Sequence, residues 1–212
     1  MAEQRFPDIQ IEVVVVDDAS TDSTPAILKE CTALYTKLVT FPKNGGKGAA
    51  IQAALAAATG DYVLVQDADF EYSPTEYCKL VKPAQDFGAE LVIGSRFLAP
   101  TWTRVNYFWH KVGNHIITLI FNLLNNTTFT DIYSGHILFK RSLIVPEELT
   151  CMGWSQQAEI LSRVCACTNT IYEVSICYSG RTYAEGKKIR AHHVIPVVAT
   201  MLRERLIPHK RP

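Results

Sequence analysis

Short apolar runs alternate with helix-like segments through the first half of the chain, and this alternation restricts the fold more than any other feature. The runs at 9–16, 38–41, 62–66 and 91–94 are rich in Val, Ile and Leu. A continuous run of this kind is typical of a parallel strand that is covered on both faces. Strands that alternate with helices and short loops predict an α/β domain, with a mostly parallel sheet flanked by helices.

The segments between the runs carry helix signals. Ser23 or Thr24 can cap a helix that has Pro25 in its first position, and an alanine-rich helix is expected at 49–58. The other expected elements are helices at 74–87, 105–124, 156–165 and 194–206 and strands at 137–139 and 171–178. The helix at 105–124 is amphipathic, and we favour a core-facing position for it over a membrane-contacting one.

Overall composition narrows the function classes. Lys plus Arg and Asp plus Glu each number 21, so the net charge is zero and a nucleic-acid-binding role is disfavoured. The six cysteines include no CxxC pair, which favours thiols in a reducing compartment over a zinc site. No secretory signal is visible, and no apolar run reaches the roughly 18 residues that span a bilayer. We expect a cytoplasmic protein, in solution or peripheral on the cytosolic face of a membrane.

An acidic turn follows the run at 62–66. Asp67 and Asp69 stand two residues apart where the chain leaves this strand, so both carboxylates can converge on one point. Converging carboxylates repel unless a cation lies between them, and their oxygens suit Mg²⁺ or Mn²⁺. Because open α/β sheets bind ligands beyond the carboxyl ends of their strands, one interpretation is a cation carried with a phosphate ligand. The other is a polar loop with N-capping aspartates.

Two loops can hold anions. The loop at 43–48 is rich in glycine and opens a helix, so its N–H groups and Lys47 can hold a phosphate, although it does not match a P-loop. An ordinary turn with a solvated lysine is the alternative. The basic loop at 181–188 can bind a second anion or simply present solvated charge.

Six segments carry a family resemblance. They are 15–22 (VVDDASTD), 44–48 (NGGKG), 66–71 (QDADFE), 94–96 (GSR), Asp131 with Ser134-Gly135, and 181–188 (RTYAEGKK). In this order and spacing they resemble glycosyltransferase family two, and the last segment resembles its polyprenyl-phosphate sugar synthase branch, which includes the dolichyl-phosphate mannosyltransferases. The likeness covers about residues 9–206.

The resemblance implies a GT-A fold, in which a Rossmann-like sheet places a DxD motif against a nucleotide-sugar diphosphate. It also implies residue roles. The implied ligands of Mg²⁺ or Mn²⁺ are Asp67, Asp69 and Glu71; the implied nucleotide-sugar residues are Asp17, Asp18, Lys47 and Asp67. The implied catalytic residues are Asp69, Arg96, Asp131 and Arg181, and the implied acceptor-phosphate residues are Arg96, Arg181, Lys187 and Lys188. Asp131 is alternatively a turn residue only, and Glu159 matches a family glutamate near the sugar.

The implied reaction is an inverting, metal-dependent transfer of a hexose, with mannose expected, from GDP-mannose or UDP-glucose to dolichyl or polyprenyl phosphate. A metal and cationic side chains stabilise the charge that builds on the departing diphosphate. A lipid phosphate is already ionised and needs no strong general base, which agrees with a site rich in Arg and Lys. A nucleotidyltransferase is disfavoured because it leaves the segment at 181–188 unexplained.

The chain also departs from the family pattern. Family members have a further strand and helix ahead of the segment seen here at Ile9, so we expect unpaired backbone beside the strand at 13–16 and a half-open nucleotide pocket. A non-catalytic binding subunit, or an unstable truncated form, is therefore the alternative function. We expect one domain over 1–212, whose amphipathic, basic tail at about 192–212 contacts an anionic membrane, contacts a membrane-embedded partner subunit, or is solvated.

Overall fold

The computed structural model describes residues 9–105, 108–180 and 194–209, and they form alternating strands and helices. The strands are β1 (Val14–Asp17), β2 (Lys37–Thr40), β3 (Tyr62–Val65), β4 (Leu91–Ser95), β5 (Ile137–Lys140) and β6 (Ile171–Ser175). The helices are α1 (Thr24–Glu30), α2 (Gly46–Ala57), α3 (Tyr77–Phe87), α4 (Phe108–Asn125), α5 (Gln156–Cys167) and α6 (Val194–Leu206). The predicted α/β class is confirmed, and every expected element is present with bounds that differ by a few residues.

The strands form two sheets of mixed direction. β1 and β2 pair in parallel, and the four-stranded sheet has the order β3-β5-β4-β6. Within it β4 and β6 are parallel, whereas β5 runs antiparallel to both of its neighbours, contrary to the expected mostly parallel sheet. The connection between β4 and β5 gives the reason. Arg96 lies just after β4 and is bonded to Asp131, which lies just before β5. The chain therefore re-enters the sheet at the same end of the strands at which it left, and β5 must run in the opposite direction to β4.

Helices cover both faces of the four-stranded sheet, as predicted. Successive strand residues point to opposite faces. Leu91 and Ile93 of β4 belong to a large core beneath α4, α5 and α6, whereas Val92 between them packs in a smaller core with Leu80 of α3. This central strand is buried along its whole length.

The first strand is less enclosed than expected. β1 begins at Val14 rather than Ile9, and Val14 to Val16 are only partly buried. Within the described residues β1 pairs with β2 and with no strand of the larger sheet. The expectation of a strand covered on both faces is therefore wrong, because a strand in a two-stranded sheet has few neighbours to cover it.

Helix α4 has two apolar faces. Ile117 and Phe121 lie in the core, which agrees with the favoured core-facing position. Trp109, Ile116 and Leu123, at seven-residue spacing, are exposed on another face. Among the helices of the described segments, none is long and apolar enough to cross a bilayer.

Candidate active site

The acidic turn and the glycine loop meet beyond the end of β3. The Lys47 ammonium, in the first turn of α2, lies 2.7 Å from Asp67 Oδ1 and 2.8 Å from Asp67 Oδ2. Both side chains remain about one-third exposed. The structure therefore joins two of the residues to which the motifs assign a nucleotide-sugar role, at a point that solvent and ligands can reach.

The three acidic side chains that the resemblance implies as metal ligands each have a hydrogen-bond or ion-pair partner of their own. Asp69 Oδ1 accepts the Glu71 N–H at 3.2 Å, and Glu71 Oε2 accepts the Tyr178 hydroxyl at 3.1 Å. Across 9–105, 108–180 and 194–209 there is no group of three His, Cys, Asp or Glu that could hold a metal. Like charges separate when each finds its own donor. The part-exposed carboxylates of Asp67 and Asp69 still fit a cation that completes its coordination with a ligand's phosphate oxygens, which is the usual mode for Mg²⁺.

Three N–H groups of the glycine loop, which the sequence predicts to be open to a phosphate, are already bonded within the protein. Asp18 accepts the N–H of Gly45 at 2.6 Å and of Gly46 at 2.8 Å, and the Met152 carbonyl accepts the N–H of Gly48 at 2.8 Å. A carboxylate at a helix N-terminus accepts hydrogen bonds from otherwise unpaired N–H groups and interacts favourably with the positive end of the helix dipole. Asp18 thus fixes the loop that carries Lys47.

Asp17 shapes the turn that follows β1. It ends β1, is almost fully buried, and accepts the Ser20 N–H through Oδ1 at 3.0 Å. The turn after β1 therefore depends on both aspartates, one bonded within the turn and the other to the glycine loop.

Arg96 and Asp131 form a buried ion pair. Arg96 Nε lies 2.6 Å from Asp131 Oδ2, and Nη2 lies 2.8 Å from Oδ1. The Arg96 side chain is 11% exposed and that of Asp131 is 0% exposed. Burial alone would lower the pKa of Arg96, but the charge and hydrogen bonds of Asp131, together with Tyr72 and Tyr178, outweigh burial and raise the pKa. Asp131 accepts the Tyr133 N–H within its turn and also pairs with Arg96, which is largely buried rather than open toward an acceptor.

Two tyrosines connect this ion pair with the acidic turn. The Arg96 guanidinium lies over the Tyr178 ring at 5.0 Å, and the Tyr178 ring is 5.0 Å from that of Tyr72. The Tyr72 hydroxyl accepts the Gly135 N–H at 2.9 Å, and Gly135 lies against the Asp67 carboxylate. Burial raises the pKa of Tyr72 to about 12, with opposing influences from Arg96 and Asp131. Asp67 and Arg96 therefore flank one aromatic cluster.

Sequence reasoning missed this cluster. Tyr72, Tyr178, Gln66 and His136 were not among the predicted site residues, and aromatic residues distant in sequence give little sign that they will meet. The one available signal was Gln66, a polar residue that ends an apolar run and precedes Asp67.

Four further residues of interest are not part of the contacts above as far as the structure describes them. Arg181, Lys187 and Lys188 are outside the described residues. Ser179, shortly before them, donates its N–H to the Glu71 carbonyl at 3.1 Å, so the chain passes the acidic turn before it reaches that segment. Glu159 is fully buried and accepts the N–H groups of Thr150 and Cys151.

A comparison with family models decides the classification. Residues 1–145 match the model described as "Glycosyl transferase family 2", and this match includes more than half of the chain. The chain belongs to glycosyl transferase family 2. The resemblance seen in the motifs is thereby confirmed at the level of the family.

Curated members of glycosyl transferase family 2 give more distant likenesses. The chain is 30% identical over 169 residues to "Low-salt glycan biosynthesis hexosyltransferase Agl6" of Haloferax volcanii, which covers 79% of this chain and 40% of that protein. It is 26% identical over 182 residues to "Dolichol-phosphate mannosyltransferase" of Pyrococcus furiosus, covering 84% of this chain and 51% of the relative. The chain therefore spans about half the length of these relatives or less.

Solved structures support the fold of this family member. Glucosyl-3-phosphoglycerate synthase from Mycobacterium tuberculosis, in complex with Mn²⁺, uridine diphosphate and phosphoglyceric acid, matches with a TM-score of 0.64. The match covers 93% of this chain and 68% of the synthase at 22% identity. Together with the family match this likeness confirms the expected GT-A fold.

Proposed function

We propose that this protein transfers a hexose, most simply mannose, from a nucleotide-sugar to dolichyl or polyprenyl phosphate with inversion at the anomeric carbon. The observation that carries the proposal is the contact between Lys47 and Asp67 beyond the end of β3, beside the aromatic cluster that holds Arg96. A relative named dolichol-phosphate mannosyltransferase supports the acceptor class. GDP-mannose and UDP-glucose are the donors to test.

The chain's own residues divide the work on the donor. Asp67 and Asp69 would hold Mg²⁺ or Mn²⁺ together with the donor's diphosphate, and the bound ion supplies electrostatic stabilisation of the departing charge. Lys47 contacts Asp67, so it is within reach of the same phosphate oxygens. Asp17 and Asp18 hold the loops on either side of the expected nucleoside position.

The acceptor needs no strong base. One oxygen of an ionised lipid phosphate attacks the anomeric carbon, a new carbon–oxygen bond forms, and the bond to the diphosphate breaks. The nucleoside diphosphate leaves with the electron pair, and no proton has to move. Arg181, Lys187 and Lys188 are proposed to bind the acceptor phosphate, while the ion pair of Arg96 and Asp131 packs against the Tyr178 ring and supports the wall of the site.

A membrane surface is the proposed source of the acceptor. Trp109, Ile116 and Leu123 expose one apolar stripe on α4, a helix that carries Lys111 and no acidic residue. Exposed aromatic and aliphatic side chains beside basic ones are typical of helices that lie in a bilayer interface. We place the cytosolic face of a membrane against this stripe, in preference to a membrane-embedded partner subunit.

Transfer measurements test the proposal. Purified protein with Mn²⁺, GDP-mannose or UDP-glucose, and dolichyl phosphate should yield the lipid-linked sugar. Asp69→Asn or Asp69→Ala should reduce the rate roughly 100-fold or more, because stabilisation of the leaving group is lost. Asp86→Asn, which removes a surface carboxylate of α3, is the matched control and should leave the rate unchanged. Undiminished transfer by the Asp69 variants would rule out the assigned metal role.

A non-catalytic binding subunit is the second candidate, and the separate β1–β2 sheet favours it because half of the expected nucleotide pocket rests on that sheet. A thermal-shift series with GDP-mannose or UDP-glucose and Mn²⁺ separates the two. A ligand at about 100 times its Kd should add about 2.7 kcal/mol to the free energy of unfolding. The absence of any shift at saturating ligand would favour the second candidate.

A further inference from the structure

The Gln66 side chain spans the two ends of the acidic turn. Its Nε2 donates to the Asp67 carbonyl at 2.8 Å and to the Tyr72 carbonyl at 3.5 Å. Backbone carbonyls only accept hydrogen bonds, so the amide nitrogen must be on this side of the side chain. The orientation of Gln66 is thereby fixed, and its Oε1 must face the opposite way.

Two buried donors meet that oxygen. His136 Nε2 is 2.8 Å from Gln66 Oε1, and the Tyr77 hydroxyl donates to the same atom at 3.1 Å. Since Oε1 can only accept, His136 must carry its proton on Nε2. Its Nδ1 is then a buried acceptor, and it has no hydrogen-bond partner among the described residues.

The surroundings keep His136 in this form. It is fully buried, and its ring lies 4.7 Å from the Tyr72 ring and 5.8 Å from the Tyr77 ring. Burial lowers the pKa of His136 to about 4, although Glu76 and Asp67 oppose the shift. The imidazole is therefore neutral near pH 7, with one nitrogen donating and the other unpaired. Leaving a buried nitrogen unpaired is costly, so the position is not explained by packing alone.

We propose that His136 is a positioning residue: its Nε2–H holds the Gln66 amide, which ties the two ends of the turn at 67–72 and so sets the directions of Asp67 and Asp69. It touches no substrate and acts through Gln66. The proposal rests on the proposed function only for the ligand that these carboxylates would bind.

Hydrogen exchange of the unliganded, metal-free protein tests the mechanical part. His136→Phe keeps an aromatic ring against Tyr72 and removes the donor. Amides of residues 67–72 should then exchange roughly three- to ten-fold faster, which corresponds to the loss of one hydrogen bond. Amides of α5 should be unaffected. Tyr77→Phe is the milder change and removes the other donor to Gln66 Oε1. It should accelerate the exchange of the same amides.

A second background shows whether His136 acts through Gln66. In Gln66→Leu the turn should already exchange faster, and adding His136→Phe should have no further effect on residues 67–72. An equal acceleration in both backgrounds would overturn the proposal, as would wild-type exchange of this turn in both His136→Phe and Tyr77→Phe.

Ligand binding tests the consequence. With GDP-mannose present, the Mn²⁺ concentration for half-saturation should rise about three- to ten-fold in His136→Phe and remain at the wild-type value in Asp86→Asn. A loosened turn with unchanged Mn²⁺ binding would overturn the positioning role and leave the proposed function standing. If the wild type binds neither Mn²⁺ nor GDP-mannose, the proposed function fails, whereas the exchange result stands independently.

Discussion

At the scale of single residues, the buried pair of Arg96 and Asp131 governs the stability of the site. Asp131→Asn should lower the free energy of unfolding by about 3–5 kcal/mol, because it leaves the Arg96 guanidinium buried without its counter-charge. Urea denaturation provides the measurement. Asp86→Asn breaks the exposed pair with Lys82 and should change the free energy by no more than about 0.5 kcal/mol. Equal effects of the two variants would contradict the structural role of Asp131.

The same pair shows what a sequence can and cannot reveal about single residues. The resemblance to glycosyltransferase family two is what singled out Arg96 and Asp131 as site residues. Their mutual bond, and the Tyr178 ring beneath Arg96, depend on contacts between residues far apart in sequence. The same is true of the Asp18 carboxylate, which accepts hydrogen bonds from N–H groups of the glycine loop that the sequence predicts to be open to phosphate.

At the scale of elements, periodicity located the strands and helices but did not give their directions. An apolar run such as β5 has the same pattern whether it runs parallel or antiparallel to its neighbours. Its direction follows from the connection through α4, which returns the chain to the same end of the strands at which β4 finished. Periodicity also indicated that α4 is amphipathic, whereas its second, exposed apolar face became apparent only from the burial of Ile117 and Phe121.

The exposed stripe of α4 predicts membrane binding. The protein should co-sediment with vesicles of phosphatidylcholine and phosphatidylserine, and Trp109→Ser with Leu123→Ser should reduce the bound-to-free ratio roughly ten-fold or more, because each large apolar side chain contributes about 1.5–3 kcal/mol when buried. Ile27→Ser, at an exposed apolar position on α1, is the control and should bind like the wild type. Failure of the unaltered protein to bind such vesicles would instead favour a protein partner on this stripe.

At the scale of the whole molecule, the β1–β2 sheet packs beside α2, and polar contacts also join it to the rest of the protein. Glu12, just before β1, accepts the Thr59 N–H at 2.7 Å and pairs with Lys37 of β2 at 2.9 Å. The Thr59 N–H and the Lys37 ammonium lower the pKa of Glu12 to about 2, although its partial burial opposes this. Asp18 directly follows β1 and accepts the N–H of Gly46, the residue before Lys47. The attachment of this sheet therefore bears on the site as well as on the fold.

Acid should therefore release this sheet before the larger one. The folded-state pKa of Glu12 lies below its ordinary value of 4.5, so the stability that it contributes is complete above about pH 4.5 and is lost as pH falls toward 2. Hydrogen-exchange protection factors, in which the intrinsic pH dependence is removed, should decline in this window for β1 and β2 while those of the buried β4 are retained. Glu12→Gln should show the weaker protection of β1 and β2 already at pH 6 and little further loss between pH 4.5 and 2. Parallel decline of β1 and β4 in both proteins would mean that the two sheets open as one unit and that Glu12 does not hold them together.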